Sequence, residues 1–99
     1  MPDEIREVDP RELRVSPSRP QGANPEKLQR QIAKFGTSSV GMPPLWVCEA
    51  SDGVLVLYNG TTRATRIAKL TPGTLVPVVV IGKLRRAFAK TPKIGDVLP

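Results

Sequence analysis

The stretch Val54-Leu55-Val56-Leu57-Tyr58-Asn59-Gly60-Thr61-Thr62-Arg63-Ala64-Thr65-Arg66-Ile67-Ala68-Lys69-Leu70 changes its pattern at one glycine. Before the glycine, Val54 to Tyr58 is apolar at every position, the pattern of a strand buried on both faces in the middle of a sheet. After it, Ala64, Ile67 and Ala68 fall on one side of a helix with Leu70 near its end, while Arg63, Arg66 and Lys69 project elsewhere. Pro72-Gly73 stops that helix. The segment therefore predicts a strand that turns through Asn59-Gly60 directly into a helix.

Upstream, Leu45 to Glu49 is strand-like and Ala50-Ser51-Asp52-Gly53 carries an Asp-Gly turn signal, so the two strands read as a β-hairpin. Gly36 to Pro44 is a Gly/Ser/Pro loop. Before it, Asn24-Pro25-Glu26 is a helix start, with Asn as the cap and Pro at the first helical position. Leu28, Ile32 and Phe35 follow as one apolar stripe, and Gly36 is the expected C-cap. Pro17, Pro20 and Gly22 force a loop, a short strand is expected near Glu12 to Val15, and residues 1–6 read as frayed. Downstream, Val76 to Ile81 is a strand with Pro77 at its start or on an edge. Lys83 to Ala89 reads as a short basic helix ended by Pro92. The sum is a small α+β domain with a mixed sheet, one domain over residues 1–99, with a core of about 8–82 and a basic helix and tail over 83–99.

Composition limits the chemistry. The chain has 99 residues, one domain's worth, and no histidine, which removes His-dependent zinc sites and Ser-His-Asp triads. Its single cysteine, Cys48, excludes an internal disulfide framework and reads as a small buried apolar residue. No apolar run reaches the roughly 20 residues of a membrane span, and the acidic start Asp3-Glu4 is unlike a secretory signal. A cytoplasmic protein with no membrane partner is the expectation. There are 15 basic and 9 acidic residues, a net of +6. The excess is not spread evenly. Between Gly53 and Gly95 there is no acidic residue, but there are Arg63, Arg66, Lys69, Lys83, Arg85, Arg86, Lys90 and Lys93. Such a half carries a positive potential. It reads either as a solvated basic face or as a site for the phosphates of a nucleotide, DNA or RNA.

The residues at the strand-to-helix junction, Asn59, Gly60, Thr61, Thr62 and Arg63, are the candidate site. The first N–H groups of a helix have no intrahelical partners and lie at the positive end of its dipole. Gly60, without a Cβ, lets an anion approach the backbone. The threonines add hydroxyls, Arg63 adds a bidentate fork, and Arg66 lies three residues on along the adjacent surface. The same residues also read as an ordinary capped helix with a Thr cap and exposed arginines.

The junction and its surroundings resemble the ParB N-terminal / sulfiredoxin-like superfamily. Leu13 to Pro20 is similar to that family's first strand and loop, Glu26 to Gly36 to its first helix, Gly60 to Arg63 to its Gly-x-x-Arg box, and Pro77 to Ile81 to its last strand. The resemblance covers about residues 8–82. It implies binding of a nucleoside triphosphate, CTP or ATP with magnesium, at the box, and it places a second nucleotide-contacting arginine at Arg19. Thr61 stands where ParB-type members carry an acidic residue and sulfiredoxins a reactive cysteine, and Thr62 replaces an arginine or histidine. Sulfiredoxin chemistry therefore lacks its thiol and nucleotide hydrolysis lacks its carboxylate, so enzymatic activity stays open. A ParB-like nuclease, for which the box region supplies no metal-holding carboxylates, and a non-catalytic interaction domain are the other readings.

Of the remaining candidates, Asp9, Glu12 and Glu26 are carboxylates that could approach the box, although Glu26 is explained by its helix N-terminus. Trp46 alternates with Leu45 and Val47, which favours core or hairpin packing over a base-stacking platform. Lys83, Arg85, Arg86 and Lys90 are candidates for nucleic-acid contact in the basic C-terminal segment, with solvation as the simpler alternative.

Overall fold

A computed structural model describes residues 4–17, 22–38 and 41–98. Four strands form one mixed sheet: β1 (Glu4–Val8), β2 (Leu45–Glu49), β3 (Leu55–Asn59) and β4 (Val76–Lys83), in the order β1-β4-β2-β3. β4 runs antiparallel to β1 and parallel to β2, while β2 and β3 are antiparallel. Two helices, α1 (Pro25–Phe35) and α2 (Thr61–Leu70), and two 3-10 turns, Pro10–Glu12 and Ile94–Asp96, complete the described elements.

Local signals set most boundaries. The Asn24 side chain accepts from the amides of Glu26 and Lys27 at 2.9 and 3.2 Å and starts α1, and Gly36 ends it at φ +58°. The β2–β3 hairpin closes through Gly53 at φ +85°, with Gly53 N–H donating to Ala50 O at 2.9 Å. α2 lies over one face of the sheet. Its Ala64, Ile67 and Ala68 pack against Leu45 and Val47 of β2, Leu57 of β3 and Val76 and Val78 of β4. Leu13, Val15 and Ile94 fill the same core from the two ends of the chain. Replacing Ile67, which is wholly buried, by alanine costs about 2–5 kcal/mol.

Several expectations need correction. β3 is an edge strand, not a central one, whereas Pro77 stands at the start of β4 as expected, although β4 itself is interior. The apolar run at β3 is explained by the segment beside its outer edge: Arg14 N–H donates to Leu55 O, and Leu57 N–H donates to Arg14 O, both at 2.9 Å. No strand covers Glu12 to Val15. Pro10–Glu12 is a 3-10 turn capped by Asp9, and Arg14 makes isolated bridges to Val56 and Lys93. The end of the chain expected to fray instead contains β1, because pairing with Val76 to Val80 satisfies its backbone. Lys83 to Ala89 is not a helix. Lys83 ends β4, and the segment after it turns so that Phe88 packs on Ala50 and Val56, with the Phe88 and Ala89 amides donating to the Asp52 carboxylate. Trp46 is not core. It points to the face opposite Leu45 and Val47 and is 46% exposed. Cys48 is only half-buried. Of the α1 stripe, only Leu28 is buried, because α1 packs on α2 and not on the sheet.

Candidate functional site

The backbone reaches the site through an irregular hairpin. Trp46 pairs with Asn59 and Val47 with Leu57, so Tyr58 is an extra residue in β3. Such a bulge bends the strand and re-aims its side chains. Gly60 follows at φ +104°, ψ +21°, a left-handed conformation natural to glycine, and is itself the N-cap of α2, in the place expected for a threonine. It offers no side-chain oxygen to the first turn. The first intrahelical bond is Ala64 N–H to Gly60 O at 2.8 Å, so the amides of Thr61, Thr62 and Arg63 precede the ladder.

Beside these amides lies a cleft of about 270 Å³, lined by Asn59, Gly60, Thr61, Thr62 and Arg63 together with Ser16, Lys27, Gln31 and Tyr58. Five of the expected site residues thus meet in one concavity. Among the described residues two cationic side chains line it and no carboxylate does. The carboxylates are engaged elsewhere: Asp9 with Arg11, Glu12 with Lys93, Glu26 with Arg30 at 4.0 Å and Glu49 with Arg6. None of Asp9, Glu12 and Glu26 lines the cleft. Gln31 Oε1 is buried and has no hydrogen-bond partner among the described residues.

The two arginines of α2 have different surroundings. Arg63 lines the cleft, donates to Pro43 O at 3.1 Å, and is lowered from its ordinary pKa by burial. The space left by the missing Cβ of Gly60 is occupied by Leu45 and by the Arg63 guanidinium, not open to a ligand. Arg66 does not project into solvent and does not line the cleft. It is 1% exposed, and its Nη1 donates to Gly36 O and Ser38 O, both at 2.8 Å, at the C-terminal end of α1. There its positive charge meets the negative end of the α1 dipole and the Phe35 ring, 5.4 Å from the guanidinium carbon. Burial lowers its pKa as well. Among the described residues neither Arg63 nor Arg66 has a carboxylate within salt-bridge distance. Arg66 is thus a structural clamp between the helices.

A second concavity of about 420 Å³ adjoins the first, and the two share Ser16 and Tyr58. Val56, Leu57, Leu84 and Phe88 give it apolar walls, and Arg85 and Arg86 line it as well. A shallower groove of about 340 Å³ continues from the first cleft along α1, past Lys27, Arg30 and Lys34. Of the C-terminal candidates, Lys83, Arg85, Arg86 and Lys90 are all exposed, and Arg85 and Arg86 line this second concavity. Arg19 lies outside the described residues. Lys27 and Gln31 were not legible as site residues, because only the packing of α1 on α2 brings them to the cleft.

No known family model matches the chain, and no curated protein matches it. Among the described residues no helix is long and apolar enough to cross a membrane.

Proposed function

We propose that the chain is a binding module that seats the phosphate of a nucleotide at the amino end of α2. The observation that carries this reading is a cleft in which three pre-ladder amides, two threonines and the cations Lys27 and Arg63 converge and, among the described residues, no carboxylate intrudes. Amides at a helix N-terminus favour an oxyanion by geometry and by dipole, and a partly desolvated arginine interacts with it more strongly than one in bulk water. The resemblance of Gly60 to Arg63 to the ParB N-terminal / sulfiredoxin-like box supports the same reading and names CTP or ATP as the first ligands to try. Among the described residues no group of three or more Cys, Asp or Glu gathers as metal ligands, so magnesium enters this reading on the nucleotide's own phosphates. Titration of isotope-labelled protein with CTP, ATP and inorganic triphosphate tests it. The amides of Thr61, Thr62 and Arg63 shift together and saturate if the reading is right, and unmoved amides at millimolar ligand overturn it.

A second reading, a nucleic-acid strand, is favoured by the groove along Lys27, Arg30 and Lys34, which continues the cleft. It requires an affinity for DNA or RNA that falls steeply with salt, with a slope set by several phosphate contacts. A ligand held by one phosphate group alone gives a much shallower salt dependence.

A further inference from the structure

We infer that the apolar slot beside the cleft holds the heterocyclic base of the nucleotide whose phosphates lie on α2. The inference rests on the phosphate reading above and adds the ligand's other end. The two concavities meet at Ser16 and Tyr58. Tyr58 and Thr61 are three residues apart, at most about 10 Å along the chain. A ligand filling both has a flat apolar end, a short polar spacer and an anionic end, which is the chemistry of a nucleoside phosphate. Inorganic phosphate would use only half of this space, and a purely apolar ligand only the other half.

The slot has the features that suit a base. Its volume of about 420 Å³ falls within the range of small-molecule sites. Val56, Leu84 and Phe88, which pack together in one apolar cluster, present an apolar surface suited to the face of a ring. Tyr58, extra in the hairpin pairing and 63% exposed, stands where the two compartments join and offers an aromatic surface for stacking. The Arg86 guanidinium lies over the Phe88 ring, 5.1 Å from its centroid, so a second planar cation-bearing surface borders the slot. The wall is held in place before any ligand arrives. Leu84 N–H donates to Glu49 O at 2.8 Å, Ser51 N–H to Arg86 O at 3.0 Å, and the Phe88 and Ala89 amides donate to Asp52 Oδ2 at 3.1 and 2.8 Å. These bonds fasten residues 84–89 to the hairpin, so little ordering is left for the ligand to impose.

The test compares inorganic triphosphate with the four common ribonucleoside triphosphates, using amide shifts of the full chain and calorimetric affinities. Inorganic triphosphate shifts Thr61, Thr62 and Arg63. A nucleoside triphosphate adds Tyr58 and residues 84–88 and binds about tenfold more tightly, the gain expected from stacking one base. The Y58A variant, at an exposed position, reduces the ratio of nucleotide to triphosphate affinity by about tenfold. Nucleotides that move Thr61 to Arg63 no differently from triphosphate, bind no tighter and leave residues 84–88 still overturn the base slot while leaving the phosphate seat standing. Triphosphate and nucleotides that both leave Thr61 to Arg63 unmoved overturn the phosphate seat itself, and the base slot falls with it.

Discussion

The Arg63 guanidinium lies beside Gly60: its Nη2 is 3.0 Å from where a Cβ on residue 60 would stand, and Leu45 Cδ2 is 2.6 Å from the same point. One glycine therefore serves two purposes. It supplies the left-handed turn from β3 into α2, and it lets the arginine fold against the helix start.

G60A sets a methyl group against both neighbours at a φ of +104°. Leu45 is fully buried in the core and has little room to retreat. The strain alone costs about 1–3 kcal/mol. For a domain of this size, a loss of about 2 kcal/mol lowers Tm by about 8–16 °C. Thermal unfolding followed by circular dichroism measures the loss, and a Tm within about 2 °C of wild type contradicts it.

Arg66 gives a different kind of prediction. Its guanidinium satisfies Gly36 O and Ser38 O, yet no carboxylate offsets its desolvated charge among the described residues. In R66M the relief from burying a charge opposes the loss of two hydrogen bonds, each worth about 1 kcal/mol net. Global stability then falls by only about 1–2 kcal/mol, and the damage is local. Amide exchange at Gly36, Ser38 and Met42 rises more than at β4. Exchange that rises evenly over the molecule in R66M argues against a local clamp.

These two arginines also show what could be read from the sequence alone. Positions with their own local chemistry were legible: the Asn24 cap, Gly36, the Asp52-Gly53 turn, both long helices and the gathering of Asn59 to Arg63. Positions decided by tertiary partners were not. Arg66 has the spacing of an exposed residue, but α2 lies between the sheet and α1, and Thr65 to Ala68 are buried all round. The unbroken burial of that turn was the missing signal. The apolar run of β3 suggested a central strand because nothing local reveals that Leu13 to Val15 runs beside its edge. The basic segment after β4 looked helical, yet no Ser, Thr, Asp or Asn precedes it to cap a helix, and the Asp52 side chain holds Phe88 and Ala89 in a turn from 36 residues away.

Asp52 makes that turn sensitive to acid. Burial raises its carboxyl pKa, but hydrogen bonds from backbone N–H groups, those of Phe88 and Ala89 first, outweigh this and hold it below the ordinary value of 3.8. A carboxyl depressed in the folded state contributes stability that is present above its unfolded pKa and is lost as pH falls through its folded pKa. Amide protection at Phe88 and Ala89 therefore holds at pH 5 and above and is lost only as pH falls through the lowered folded pKa, below 3.8. D52A lacks that protection at every pH. It still retains an acid-induced loss of stability, because the Arg11 hydrogen bond lowers Asp9 with the same sign. Protection factors at Phe88 and Ala89, corrected for the intrinsic pH dependence of amide exchange, that stay constant in the wild type until the whole domain unfolds in acid contradict the assignment.

Lys27 offers the sharpest test of the cleft itself. It is exposed on α1, a turn away from the Asn24 cap, and it takes no part in the core. K27Q leaves a polar, unbranched side chain one atom shorter and keeps most of the helix propensity, so the fold is unaffected. What it removes is one cation from the lining of the cleft. A charge-assisted hydrogen bond to a phosphate is worth about 1.5–3 kcal/mol, so triphosphate affinity falls by about tenfold or more. K69Q changes the net charge by the same amount on an exposed residue of α2 that does not line the cleft. If attraction came only from the general positive field, the two variants would weaken binding equally. A specific seat at the start of α2 requires K27Q to lose at least several times more affinity than K69Q at 0.15 M salt, where contributions from charges beyond about 8 Å are screened.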